Sequence, residues 1–413
     1  MVDSLGKKKW KWAFQLMTFA RTSSFKKELG SINPENRIAQ LHSLEGGLYL
    51  RPEFEYRHRK FEIKVKPRYN LEFHCDQKVL GNASNYSSEL YLQQLKAKWQ
   101  PSTNISLQAG RYIKLIGTST FLNPSNPFFI NPGQLNPKLE LRPMDFLEFN
   151  YSTKANWNFS LVANVYNAQN EIYQKPFLDF KRTYAFLTEY FGESENMGLV
   201  LSLDEAKKAH LGSYGQKNAS ESVLVWYDVA IDYRINRFYP QAGHHTELLD
   251  FEMVNGAKNK KLFFSGLLGA SYTLNVGPTI QLEYFYNGKG YSKQQLEDYY
   301  AMIASASSYN FDITKELANL NLGRSIYTGI PYLGNHYLFL QVSDRDLFNK
   351  LNYNFRCLLS TDDGSRQLST LIEYNLFDSV EIFGLGLKNF GGRQTDLNKL
   401  IDHQAMIGLQ FKF

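Results

Sequence analysis

Apolar and polar residues alternate in segments of about 10 to 14 residues, repeated from one end of the chain to the other. Phe61, Ile63, Val65, Pro67, Tyr69, Leu71 and Phe73 form the cleanest apolar row, with Glu62, Lys64, Lys66, Arg68, Asn70, Glu72 and His74 between them. Trp10, Trp12, Phe14 and Leu16 open the series, and further rows begin at Trp157, Val223, Leu262 and Ile280. A period of two marks strands with one apolar and one polar face. Soluble strands usually run about five or six residues. Segments twice that length match tilted strands crossing a bilayer, so the pattern predicts an all-β chain folded as a transmembrane antiparallel up-and-down β-barrel.

The connections provide a second test, because such barrels alternate short periplasmic turns with long extracellular loops. Short links are expected near Arg57–Lys60, Gln100–Thr103, Ser152–Ala155, Gly192–Asn196, Asn275–Gly277 and Phe377–Ser379. Long ones are expected near Arg21–Ser43, Lys114–Leu139, Glu205–Ser220 and Gly290–Asn335. Counting back from a downward C-terminal strand gives about 18 strands if a weak one near Thr246–Val254 is included. Without it and a weak neighbour near Met197–Leu203 the count is 16. The whole chain, 1–413, reads as a single barrel domain, with 114–139 a pore-constricting loop and 290–335 a long outer loop carrying a short helix near Ser292–Ala306.

Composition sharpens this reading. Aromatic residues make up 15% of 413, yet the hydrophobic fraction is only 43% and mean hydropathy is −0.40. No run reaches the roughly 18 apolar residues of a membrane helix. Net charge is +6, from 46 basic and 40 acidic residues, with no basic run suited to nucleic acid. Cys75 and Cys357 stand far apart and are read either as a pair or as two free thiols. Met1 to Lys9 does not resemble a signal peptide and is read as a mature N-terminus with a start Met.

If the apolar rows face lipid, their alternates face the lumen. A two-residue turn at Arg59-Lys60 sets Arg57 opposite Glu62, Glu55 opposite Lys64 and Glu53 opposite Lys66, all oppositely charged, then Arg51 opposite Arg68. That last, like-charged pair needs a solute anion or a carboxylate from elsewhere. Lys96, Lys98, Asp228, Asp232 and Arg234 complete the expected pore lining. The loop carries Asn123-Pro124, Asn126-Pro127, Asn131-Pro132 and Asn136-Pro137, with apolar Phe128 and Phe129. Asn-Pro pairs favour turns and stiff extended backbone, so this loop is expected to fold inward and narrow the channel.

Two resemblances follow from these residues. Ile407, Leu409, Phe411 and Phe413 alternate to a terminal Phe, which resembles the assembly signal that the barrel-insertion machinery reads in bacterial outer-membrane proteins. Gly110-Arg111, Gly117, the Asn-Pro run and Glu283 to Tyr291 resemble segments of porin-like and exporter-like barrels, nearest to the 18-stranded alginate-exporter type. Ile116 stands where many of those relatives carry Trp. The resemblance implies an outer-membrane fold and a transport role. The expected function is a porin-like channel for passive or selective passage of small polar or charged solutes. The alternative is an accessory barrel with a plugged lumen in a secretion or assembly complex. Expected partners are outer-membrane lipid, the assembly machinery, a small solute and other outer-membrane proteins. No catalytic residue, cofactor or metal is expected: G-x-S-x-G is absent, and adjacent His244-His245 on a strand would face opposite ways.

Overall fold

The structure, a computed structural model, describes residues 9–75, 85–129, 136–168, 180–233, 235–242, 251–256, 261–308 and 312–413. The first eleven strands are β1 (Lys9–Phe25), β2 (Leu44–His58), β3 (Phe61–Cys75), β4 (Asn85–Trp99), β5 (Ile105–Tyr112), β6 (Met144–Ser152), β7 (Trp157–Tyr166), β8 (Thr183–Phe191), β9 (Glu195–Asp204), β10 (Ala209–Asn218) and β11 (Val223–Tyr233). A short hairpin, β12 (Phe238–Ala242) and β13 (Phe251–Asn255), precedes β14 (Leu262–Thr273) and β15 (Thr279–Asn287). Two helices follow, α1 (Lys293–Ser308) and α2 (Asp312–Ile326). The chain ends with β16 (His336–Leu347), β17 (Leu351–Ser360), β18 (Arg366–Phe377), β19 (Val380–Phe390) and β20 (Ile401–Lys412).

Among the described residues, every strand except β12 and β13 joins one 18-stranded antiparallel sheet. Each pairs with its sequence neighbour, and β20 returns to β1, so the sheet closes. Closure gives every strand a partner on both sides, the condition for a sheet to sit in lipid. At the seam the terminal residue is itself paired: Phe413 N–H donates to Phe14 O at 2.9 Å, and Phe14 N–H returns to Phe413 O at 3.1 Å.

Apart from the separate β12–β13 hairpin, connections from even to odd strands, from β2–β3 to β18–β19, are two to five residues long and share one end with both termini. The opposite end carries the long loops. The outward face inverts the usual burial rule. Trp12, Trp99, Trp157 and Phe413 are exposed at the turn end, and Phe73, Tyr86, Tyr166 and Phe390 at the loop end. Between these aromatic belts, outward Leu147, Leu161, Leu268 and Leu282 are exposed too. This is the apolar band with aromatic girdles of a barrel in a membrane. No described helix is long and apolar enough to cross one.

Some sequence expectations are corrected. The segment near Thr246–Val254 adds no barrel strand: 246–250 lie outside the described residues, and β13 pairs with β12. At five residues it is too short to span a bilayer. The eighteenth strand is β10, inside the Glu205–Ser220 segment expected as a long loop; the true connection is 205–208. Met197–Leu203 lies within barrel strand β9, which removes the 16-strand alternative. The β15–β16 connection holds two helices rather than one short one. The Cys75 side chain and His244-His245 lie outside the described part, and Cys357 is a free thiol.

Candidate functional site

The β2–β3 hairpin has the register that its two-residue turn predicts: Arg57 faces Glu62 and Glu55 faces Lys64. Arg59 takes a positive φ of 50° in that turn. Ion pairs follow the register, with Arg57–Glu62 at 3.2 Å, Lys64–Glu55 at 3.4 Å and Lys66–Glu53 at 2.8 Å. All of these lie on the face opposite exposed Phe54, Phe61 and Ile63, hence inside the barrel.

Arg51 and Arg68 find their carboxylate in Glu140, 72 residues beyond Arg68 at the end of the β5–β6 connection. Arg68 is 1% exposed. Its five N–H groups meet Glu140 Oε2 (2.6 Å) and Oε1 (2.8 Å), Glu53 Oε1 (3.2 Å), and the Pro52 and Pro67 carbonyls (both 3.0 Å). Arg51 donates to Lys138 O at 2.9 Å. Close by, Arg142 pairs with Glu89 at 2.6 Å, and Lys138 reaches Glu381 at 2.5 Å on the far side of the seam.

The other half of the same connection crosses to the opposite wall. Ser125 donates from N to Asp228 Oδ1 at 2.6 Å and from Oγ to Oδ2 at 3.0 Å, burying Asp228 completely. Ser119 Oγ donates to Glu283 Oε2 at 2.9 Å, and Trp226 Nε1 and Gln281 Nε2 converge on Oε1. Phe121 stacks on Phe339, with ring centroids 4.9 Å apart, and also meets Phe285 and Tyr332. Phe128 and Phe129 pack on Phe146 among inward-facing Val162, Leu187 and Val200. The connection therefore grips the inner wall from β2 round to β16.

Local chemistry makes this fold possible. Asn126 Oδ1 accepts from Phe128 N (3.0 Å) and Phe129 N (3.1 Å), and Asn136 Oδ1 from Lys138 N (3.0 Å), so these Asn-Pro pairs close Asx turns. Asn123 Oδ1 accepts from Ser119 N at 2.9 Å. Gly117 has φ of +108°, and a side chain there would collide with the Asp228 carboxylate. Pro124 and Pro127 lie in the described run; Asn131, Pro132 and, on the wall, Arg234 lie outside the described residues.

Lys96 sits opposite Lys64 on β4, its ammonium 5.8 Å from the centre of the Tyr112 ring, and Lys98 sits opposite Glu62. Asp232 pairs with His210 (2.9 Å) and Lys289 (2.6 Å). At the loop end, the β1–β2 connection, β12–β13, α1, α2 and the β19–β20 connection share one apolar cluster around Ile32, Phe238, Met253, Tyr299 and Leu322, a cap over that part of the mouth. Burial pulls the Arg237 guanidinium of this cap below its ordinary value, and it donates to Gly290 O at 2.9 Å. Among the described residues no group of His, Cys, Asp and Glu is arranged to hold a metal ion.

No protein-family model matches the chain, and no curated protein matches it. Solved structures do. Acinetobacter baumannii OccAB1 is similar with a TM-score of 0.56 and 11% identity, over 98% of this chain and 96% of its own. Pseudomonas aeruginosa OccK2 (OpdF) in complex with glucuronate gives 0.55 and 12%, over 98% of both chains. Pseudomonas aeruginosa OpdK with vanillate gives 0.54 and 9%, again over 98% of both. At these identities the likeness is one of fold, a porin-like 18-stranded outer-membrane barrel.

Proposed function

We propose that this chain is a bacterial outer-membrane channel that passes small polar or charged solutes, with the β5–β6 connection as its constriction. One observation carries the reading: a closed wall, apolar outside and charged inside, has a loop anchored across its interior by Arg68–Glu140 on one side and Ser125–Asp228 on the other. A barrel of this strand number is wide enough to leave an aqueous lumen where loops do not fill it. The short turns then face the periplasm and the capped end faces outward.

The solute class we infer is small organic anions. Two fold neighbours were solved with glucuronate and vanillate. On the β3–β4 wall, Lys96 and Lys98 have no carboxylate within 4.0 Å among the described residues, beside Lys64 and Lys66, which are already paired. Arg51, Glu53, Glu55, Arg57 and Glu62 then serve as a register-fixing, hydrated wall. Asp228 anchors the loop. Ile407, Leu409, Phe411 and Phe413 at the β20–β1 seam are read as the signal for the insertion machinery, and the fold neighbours support the porin-like reading of the chain rather than the alginate-exporter type. No catalytic role is assigned.

The test is single-channel recording of the purified protein in a planar bilayer, with reversal potential under a salt gradient. A steady open current with anion preference is expected. A silent bilayer after independently verified insertion would favour the accessory barrel with a plugged lumen, a reading to which the Phe121, Phe285 and Phe339 packing inside the wall lends weight.

A further inference from the structure

The wall closes through every neighbouring pair of strands, but not over its full height. β4 runs from Asn85 to Trp99, whereas β5 pairs with it only from Leu95 to Trp99. Among the described residues, no backbone group of 85–94 has a partner on the β5 side. Two residues account for the early ending. Gly110 takes a φ of +126°, and a Cβ there would strike Leu95 O, so β5 turns away from β4 at this glycine. Pro143 stands directly before β6 and brings no N–H with which to lengthen the ladder. A strand tilted about 40° climbs roughly 2.5 Å per residue, so β5 and β6 stop roughly 13–19 Å above the Trp99 belt, inside an apolar band about 25 Å tall. Beside them β4 continues to the loop end. The result is a notch in the loop-end half of the wall, between β4 and β7.

Chain that forms no sheet stands in the notch. The returning stem of the β5–β6 connection, 139–143, is fastened by side chains: Arg68 Nε donates to Glu140 Oε2 (2.6 Å), Gln93 Nε2 to Leu141 O (2.7 Å) and Arg142 Nη2 to Glu89 Oε2 (2.6 Å). The outside is apolar, with Leu90, Leu95 and Leu115 all exposed, Leu90 at 75%. One polar feature breaks that face. At the floor of the notch Arg111 and Asp145 form a two-bonded ion pair, at 2.7 and 3.0 Å, on the same face as exposed Leu107 and Leu147. An open backbone edge and an outward ion pair are stable at membrane depth only against protein or a hydrated cavity. Behind the stem, Arg51, Arg68 and Arg142 share Glu89 and Glu140, while Glu53 already holds Lys66 at 2.8 Å, which leaves one positive charge in excess. The Arg142 guanidinium lies 4.2 Å from the centre of the Tyr91 ring.

We propose that this notch is a lateral portal, in which an amphipathic carboxylate solute lies with its apolar chain along Leu90, Leu95 and Leu115 and its carboxylate at Arg142. The inference deepens the small-anion reading of the channel and rests on it: members of that class with an apolar chain partition into the membrane and reach the lumen from the side. The arriving carboxylate takes the place of Glu89 on Arg142, which releases the stem from β4. Glu89, with its side chain 43% exposed, turns to water. Excess positive charge behind an apolar mouth suits one carboxylate on one chain. A zwitterionic phospholipid would bring a second chain and a cation against the arginines, and a second copy of this face would bring the same excess charge.

The experiment is photolabelling of the full-length barrel in phosphatidylcholine vesicles. The probes are dodecanoate with a diazirine at the chain end and the matching diazirine dodecanol, and labelled residues are mapped by mass spectrometry. Wild type is expected to carry at least about tenfold more carboxylate than alcohol label on 85–95 and 113–116, the factor that one hydrogen bond to a charged group supplies. Leu368 and Ile372, exposed on the outward face of β18, should show no preference. Arg142→Gln should abolish the preference, and Arg142→Lys should keep part of it. Leu90→Glu, on the outward face, should abolish it by repulsion. Folding of each variant is read from heat-modifiable migration; if Arg142→Gln fails to fold, Leu90→Glu decides. Equal labelling by both probes, or the same preference on β18, overturns the portal and means partition into bulk lipid only. A preference that survives in both Arg142→Gln and Leu90→Glu overturns it too, and cross-linking of two copies through 85–94 would assign the notch to a second copy. Labelling needs no ion flow: a silent bilayer with the labelling map intact sinks the channel reading alone, and an open current with even labelling sinks the portal alone.

Discussion

Arg68 is a buried cation whose whole guanidinium is spoken for, and two of its five acceptors come from a single loop residue, Glu140. The two prolines opposite each other on β2 and β3 explain part of this. They bring no N–H to the ladder, and Arg68 donates to both of their carbonyls. Glu140→Ala removes two acceptors from a charge that cannot reach bulk water, and an unmade buried hydrogen bond costs about 1–3 kcal/mol. We expect a loss of that size in urea unfolding of the refolded barrel. Arg68→Met with Glu140→Ala should recover part of it, because the orphaned charge goes too. An unchanged midpoint in Glu140→Ala would mean that Arg68 draws no stability from the loop. The sequence showed that Arg51 and Arg68 faced each other and lacked an acceptor. It could not name Glu140, because alternation fixes which face of a strand a residue takes and says nothing about where a loop folds.

Elements were legible to the degree that their outward row was apolar. β3 reads cleanly because every outward position from Phe61 to Phe73 is apolar. β10 does not: its outward row is Ala209, Leu211, Ser213, Gly215 and Lys217, and its inward row includes Gly212, against whose backbone Ser125 of the loop is packed. A strand that makes room for a loop loses the pattern by which strands are recognised. The α2 sequence was missed for a related reason: its Asn319, Asn321 and Gly323 are weak helix formers, and the helix is held by burying Ala318 and Leu322 under the cap. Two elements invite direct tests. One extra residue inserted between Arg59 and Lys60 slips the β2–β3 register and turns Glu62, Lys64, Lys66 and Arg68 towards lipid. A Lys or Arg there costs about 2–4 kcal/mol at midplane, so folded, heat-modifiable barrel should be lost; recovery of normal yield would mean that the register is fixed elsewhere. Replacing residues 118–136 with a short Gly/Ser link frees Asp228 and Glu283 and should raise single-channel conductance, and unchanged conductance would remove the loop from the conduction path.

For the whole molecule, the +6 net charge is a poor guide to selectivity, because many of the charges that line the wall are paired in place. Arg57, Lys64, Lys66 and Arg68 each have a carboxylate partner, and so do Lys114 at Glu148 (2.7 Å) and Lys138 at Glu381 (2.5 Å). What remains on the β3–β4 wall is Lys96 and Lys98. Lys96 is set directly opposite another lysine, so its field adds to a local excess of positive charge. Fixed charge acts on a passing ion only within a Debye length, about 10 Å at 0.1 M salt and about 3 Å at 1 M. The double variant Lys96→Gln, Lys98→Gln should therefore move the reversal potential towards cations in dilute salt and by much less in concentrated salt. Lys388→Gln on the outward face, which removes a lysine paired with Asp402 (2.8 Å), should leave it unmoved. A shift of the same size in both variants would mean that surface charge sets the preference and that the β3–β4 wall lies off the ion path. A shift from the β4 lysines alone, collapsing as salt rises, would put the selective stretch of the lumen beside them, on the turn side of the crossing loop.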